Sequence, residues 1–196
     1  MTAHAQYTPG PANLAHIQKD RIRNDQGQEE EKWTLVVAKE LRHPPEKVWQ
    51  ALTDPVHLRE WAPFDADGNL GDLTTVKLTT VGAPALRITE TTVTRAERPN
   101  FLEYNWGQFD MRWQLEATIE GTRLTLWINI ARPYIAMGAA GWHVCLDVLD
   151  RHLSCQPIGR IAGPKAMNFE GWRRLHAEYA QQFGVEAPKW PPKNGE

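Results

Sequence analysis

The sequence predicts an α+β domain in which a curved antiparallel sheet is covered by an amphipathic helix near its end. Three observations carry this. Apolar residues alternate with period two in several stretches between residues 33 and 131. Turn signals fall close enough together to join neighbouring strands as a meander. From Trp142 to Leu153 the apolar residues recur at helical spacing. A bent sheet and a covering helix do not fill the space between them, so the pattern also predicts a pocket.

Composition narrows the function. A chain of 196 residues, 41% apolar and 23% charged, suits one folded unit with a substantial core. Its 22 Lys and Arg against 24 Asp and Glu leave a net charge of -2 and no field to attract polyanions, so a nucleic-acid partner is not expected. No basic segment leads into an apolar run at the start, and no stretch nears the roughly 18 apolar residues that cross a bilayer, so membrane insertion is not expected. Cys145 and Cys155 form no CxxC pair, which fits a reduced, cytoplasmic setting. Nine tryptophans imply a thick core or an aromatic-lined cavity, since each indole brings a large apolar area and an N–H that needs a partner.

Residues 1–32 hold few large apolar side chains and are expected to be a flexible tail, with the acidic triplet Glu29–Glu31 solvated. Ile17 and Ile22 leave room for a short edge strand within it. Order is expected from Trp33, where Trp33, Leu35, Val37 and Leu41 alternate along a strand. His43-Pro44-Pro45 ends that strand, and Pro45 opens a helix carrying Val48, Trp49 and Leu52 on one face. Asp54 then caps, and Pro55 opens, a second short helix ending near Trp61.

Strands are expected over 74–80, 86–95, 101–106, 111–120 and 122–131, with a further one around Asn69. In the fourth, Met111, Trp113, Leu115, Ala117 and Ile119 share the buried face. In the fifth, Leu124, Leu126, Ile128 and Ile130 do, leaving Trp127 on the polar side as a surface aromatic or a contact for another element. After Gly141, Trp142, Cys145, Leu146, Leu149 and Leu153 form the apolar stripe of a helix. SCQPIGRIAGPK breaks it, and one additional helix carries Trp172, Leu175, Tyr179 and Phe183 before Gly184 at its C′ position. PKWPPKNGE is expected to be a frayed end. The division is therefore a tail at 1–32, a domain at 33–153 and a C-terminal extension at 154–196.

WTLVVAKELRHPPEKVWQALTDPVHLREW resembles the opening of the START-like superfamily, in the branch named after the activator of heat-shock-protein-ninety ATPase. LEYNW, GTRLTLWI and AAGWHVCLDVL resemble later motifs of that branch. The resemblance spans about Trp33 to Leu153 and implies a helix-grip fold with a hydrophobic cavity between the sheet and the helix at Trp142–Leu153. Members of the superfamily bind lipids, sterols, polyketides or other apolar molecules, and a minority are cyclases or related enzymes. The eukaryotic namesake stimulates a chaperone ATPase, largely through an additional N-terminal domain, for which the 32 mostly polar residues before Trp33 leave no room. In the extension, Trp172, Leu175 and Phe183 are expected to pad the core or cover a pocket entrance.

Trp106, Met111, Trp113, Trp142, Leu146 and Leu149 fall on buried faces that should enclose the cavity, with Trp61 and Phe64 at its mouth. A solid core would have the same composition. Indole N–H groups in an apolar chamber suit a flat, partly polar ligand, aromatic or polyketide-like. Glu90, on the face of Leu86 and Ile88, together with Glu103 and Asp110, is a candidate acid or base for a cyclase- or dehydratase-type reaction, with Arg112 as an anion partner. The competing reading makes these rim or solvent charges. His143 and Asp147 stand at i and i+4 opposite the apolar stripe without a third ligand, which predicts a solvated face or salt bridge rather than a metal site. No HExxH, GxSxG or phosphate-loop motif occurs, and GAAGW reads as close packing of a helix start on the sheet. No cofactor or metal is expected. A third function class, a protein-interaction module, predicts a filled interior and an exposed patch including Trp127 or Trp190.

Overall fold

In a computed structural model describing residues 7–23, 27–72 and 74–186, eight antiparallel strands form one curved open sheet with helices packed across it. The order along the chain is β1 (Ala15–Arg23), β2 (Glu29–Leu41), α1 (Pro45–Thr53), α2 (Pro55–Trp61), β3 (Phe64–Ala66), β4 (Thr75–Thr80), β5 (Ile88–Glu97), β6 (Phe101–Trp106), β7 (Phe109–Thr118) and β8 (Gly121–Asn129). A 3₁₀ turn (Arg132–Tyr134) leads into α3 (Ile135–Leu153), followed by α4 (Pro164–Met167) and α5 (Glu170–Phe183). The sheet order is β1-β2-β8-β7-β6-β5-β4-β3, so β2 sits beside β8 and the meander fills the rest.

The expected tail is strand from Ala15 to Arg23 and from Glu29 onward. β1 pairs with β2 from Ala15↔Val37 to Arg23↔Glu29. The ladder uses backbone groups, which polar composition does not reveal, and opposite charges stand across from one another at Asp20↔Lys32, Arg21↔Glu31 and Arg23↔Glu29. Lys19 Nζ also lies 4.1 Å from the centre of the Trp33 ring. No strand forms at Asn69; its Oδ1 instead accepts the Gly71 N–H at 2.7 Å in a turn, and the extra strand is β3. The extension holds two helices rather than one, α4 being a single turn. Residues 1–6 and the C-terminal stretch containing Trp190 lie outside the described residues.

Local chemistry explains the helices. Asp54 Oδ1 accepts the Val56 N–H at 2.8 Å, capping α2, and the Trp61 indole donates to the Ala51 carbonyl at 2.9 Å, tying α2 back onto α1. α3 begins six residues before the expected start and runs through both glycines. A Cβ at Gly138 would stand 2.7 Å from Ile130 Cδ1 and 3.4 Å from Leu35 Cδ2, so its absence lets α3 lie against β2 and the residue that follows β8. Gly184, with φ +63, closes α5.

On β7, Met111, Trp113 and Leu115 are buried as expected, but Ala117 is exposed because the strand outruns the core, and Ile119 is exposed in the turn that follows. Leu86 and Ile88 are exposed on the far side of β5 from buried Thr91 and Val93. Among the described residues no helix is long and apolar enough to cross a membrane.

Candidate functional site

A partly enclosed chamber of about 220 Å³ lies between the sheet, α3 and the C-terminal extension. The sheet contributes Trp106, Phe109, Ile128 and Ile130, and α3 contributes Met137, Gly138, Gly141, Trp142 and Cys145. The third wall is Ile161, Ala162 and Gly163 with Ala166, Met167 and Trp172. Gly163 holds this wall in place: its φ is +63, and a Cβ there would collide with the Val81 carbonyl. At Gly141 the only neighbour a Cβ would approach is Trp172 Nε1, at 4.0 Å, so this glycine keeps the chamber open. Among the described residues the lining carries no charged side chain.

Of the residues expected to bind a ligand, Trp106 and Trp142 line the chamber. Trp61, Phe64, Met111, Trp113, Leu146 and Leu149 do not; they are buried core. Several of them form a second rank behind the wall. The Trp113 ring meets Trp142 at 5.5 Å and Trp61 at 6.2 Å, both edge to face, and Phe64 meets Trp106 at 5.2 Å. The indole of Trp113 donates to the Tyr104 hydroxyl at 3.2 Å, and burial raises the pKa of that phenol. Alternation on a strand separates inside from outside but not wall from second rank. Trp172 was anticipated as padding the core or covering a pocket entrance, whereas the lining residues of 161–167 were missed because that segment has no periodic pattern; Cys145 was visible on the apolar stripe. Burial pushes the Cys145 thiol up to about 12, against a smaller opposing effect of Arg160, so it stays protonated and unreactive.

The three carboxylates are outside this chamber. Glu90 is exposed opposite Lys77, since the inward residues of β5 are Thr91 and Val93 rather than those on the Leu86 side. Glu103 and Asp110 occupy the outer face, where Asp110 accepts from Asn105 Nδ2 at 2.6 Å and Asn129 Nδ2 at 3.0 Å. Arg112 is on the same face with its guanidinium carbon 4.3 Å from the centre of the Trp127 ring, half-burying that tryptophan.

Of the two readings of His143 and Asp147, the salt bridge is the one observed, Asp147 pairing with Lys39, and the solvated face is not. Both residues are covered by α5 and by residues 7–14 instead of facing solvent. His143 is 2% exposed, and its Nδ1 lies 2.9 Å from the Tyr179 hydroxyl, which accepts the Leu14 N–H at 3.2 Å. Asp147 accepts from Lys39 Nζ at 2.8 Å and from the Tyr7 hydroxyl, and its Oδ2 is 3.7 Å from His143 Nε2. Desolvation dominates the His143 imidazole and lowers its pKa, with Asp147 opposing. The helical wheel alone could not show that a second polar stripe, on α5, covers the first. Among the described residues no group of three or more His, Cys, Asp and Glu could hold a metal ion.

Among the described residues one buried side-chain polar atom is left over. His176 Nε2 has no hydrogen-bond partner, and its ring stacks on Trp172 at 5.0 Å. Burial lowers its pKa. A histidine depressed in the folded state contributes full stability above its unfolded pKa near 6.5, and this is lost as pH falls from there through the folded value. His176→Phe keeps the stacking and removes both the orphaned nitrogen and the titration. It should raise stability at pH 7 by about 1 kcal/mol and flatten the decline between pH 7 and 5 in urea melts; an unchanged decline would refute this assignment.

A family model described as Activator of Hsp90 ATPase homolog 1-like protein matches residues 42–154, more than half of the chain. Among solved structures, CalU16 from Micromonospora echinospora is 19% identical, with 86% of this chain and 98% of that one covered at a TM-score of 0.57. SSP2350 from Staphylococcus saprophyticus is 19% identical, covering 66% of this chain and 97% of that one at 0.56. An AHSA1-like protein from Aeromonas hydrophila, also 19% identical, covers 62% and 92% at 0.52. These likenesses are of fold. Among curated proteins, none matches the sequence significantly.

Proposed function

The chain belongs to the Activator of Hsp90 ATPase homolog 1-like family, within the START-like superfamily, and from that premise we propose that it binds an apolar small molecule in the chamber between sheet, α3 and extension. The observation that supports this most is a hollow of about 220 Å³ whose described lining residues carry no charge. Cavities of about 150 Å³ with apolar walls take up benzene, so this one has room for a larger ring system. A guest gains by leaving water and by filling space where the wall atoms otherwise lack contacts.

Binding is favoured over the cyclase or dehydratase reading because Glu90, Glu103 and Asp110 are all outside the chamber, and catalysis would need converging titratable groups within reach of one ligand atom. The Cys145 thiol, held protonated, offers no nucleophile.

Naphthalene tests the reading. At ten times its Kd it should stabilise the fold by about 1.4 kcal/mol, a rise in melting temperature of about 3–5 °C for a chain of this size. Gly141→Leu, which fills the chamber from α3, should abolish the shift. No shift in the parent protein, or an equal one in Gly141→Leu, would contradict the proposal.

A further inference from the structure

Resting on the reading that the chamber takes a small molecule, we propose that its occupant is a neutral aromatic compound carrying a hydrogen-bond acceptor, and that the acceptor is met by the indole N–H groups of Trp142 and Trp172. The two tryptophans come from different segments. Trp142 lies within the matched family region and Trp172 beyond its end at 154, so selection depends on the extension.

Three indoles line the chamber; Trp106 is only half-buried, and among the fully buried tryptophans around it the donors are identified by elimination. Trp61 and Trp113 spend their N–H groups on the Ala51 carbonyl and the Tyr104 hydroxyl. Trp142 and Trp172 have no acceptor among the described residues. Yet His176 Nε2 is the only side-chain nitrogen or oxygen there that is both unpartnered and sealed from every surface. Their N–H groups therefore open onto a surface. Because Trp142 is 5% and Trp172 3% exposed, the surface available to them is that of the chamber they line. Trp172 Nε1 also faces the open space at Gly141, 4.0 Å from where a Cβ would stand.

Neutrality follows from the walls. An anion would be stripped of water with no cation among the described lining residues to receive it, a cost that apolar contact does not offset. Arg160, which weakly influences Cys145, is engaged by Asp65 at 2.7 Å. Aromaticity follows from ring geometry. Trp142 meets Trp106, its neighbour in the lining, at 84°, leaving a corner of indole face and edge against which a flat ring packs favourably.

Three probes of similar shape separate the possibilities: 2-ethylnaphthalene, 2-acetylnaphthalene and 2-naphthoate, titrated calorimetrically. The parent protein should bind both neutral probes and bind naphthoate at least a hundredfold more weakly than acetylnaphthalene. Trp172→Phe, and independently Trp142→Phe, should weaken acetylnaphthalene about tenfold while moving ethylnaphthalene by less than about twofold, the size of one lost hydrogen bond. In the unmodified protein, acetylnaphthalene should shift the Trp142 and Trp172 indole N–H resonances downfield and ethylnaphthalene should not. Equal losses for both neutral probes, no indole shift, or tight naphthoate binding would overturn the ligand class while leaving a binding chamber intact. Binding of neither neutral probe would overturn the chamber reading as well.

Discussion

Trp113→Ala is expected to lower stability by about 3–5 kcal/mol, the range for deleting a large aromatic from a closed core. Trp113 is 1% exposed on β7, facing Leu102 and Leu126 across the strands and meeting Trp61 and Trp142 edge to face. Its loss leaves a void that the sheet cannot collapse to fill, and it strips the buried Tyr104 hydroxyl of its partner. Urea unfolding measures this directly: the midpoint should fall with little change in slope. A loss under about 1.5 kcal/mol would mean that the second rank behind the chamber is loosely packed.

Asp147→Ala should cost about 3 kcal/mol. Removing one member of a mostly buried ion pair leaves the other charge uncompensated, and here Lys39 and Asp147 retain only 15% and 14% side-chain exposure. The Tyr7 hydroxyl loses its acceptor as well. Lys39 has Asp150 at 3.7 Å as a second anion, which places the cost at the low end for buried pairs. Asp147→Asn keeps an acceptor for Tyr7 and should recover part of the loss.

The location of the damage is also predicted. Tyr7 stacks on Phe169 at 5.6 Å, and Arg174 reaches the Pro9 and Gly10 carbonyls, so residues 7–14 bind α5 along the same seam that Asp147 anchors. Amide exchange at Ala12 and Leu14, which donate to Glu178 and to the Tyr179 hydroxyl, should accelerate in Asp147→Ala more than exchange within β7. Uniform acceleration would place the effect in global stability instead.

How far the sequence reached follows from what each signal can encode. The meander, the Asp54 cap and the amphipathic character of α3 were legible because period, capping and turn residues are local properties. β1 was legible only as an optional edge strand around Ile17 and Ile22, since its stability comes from pairing with β2 and from charges in register, neither of which shows in the composition of residues 15–23. Burial of His143 was hidden in the same way, because the covering stripe lies on a different helix.

Of the eight residues named from the sequence, Trp106 and Trp142 line the chamber, on inward faces. Trp61, Phe64, Met111, Trp113, Leu146 and Leu149 also face inward but one layer deeper, a distinction that depends on curvature. The C-terminal wall could not be read, as Ile161, Ala162 and Gly163 belong to an aperiodic segment positioned by a left-handed glycine against Val81.

Xenon tests the hollow itself, independently of any ligand's chemistry. Diffraction from a crystal under xenon pressure should show a bound atom among Trp142, Cys145 and Trp172, as in apolar cavities that remain dry. A site without xenon, occupied instead by a rotated Met137 or Trp172 side chain packed against Ile130, would contradict the account.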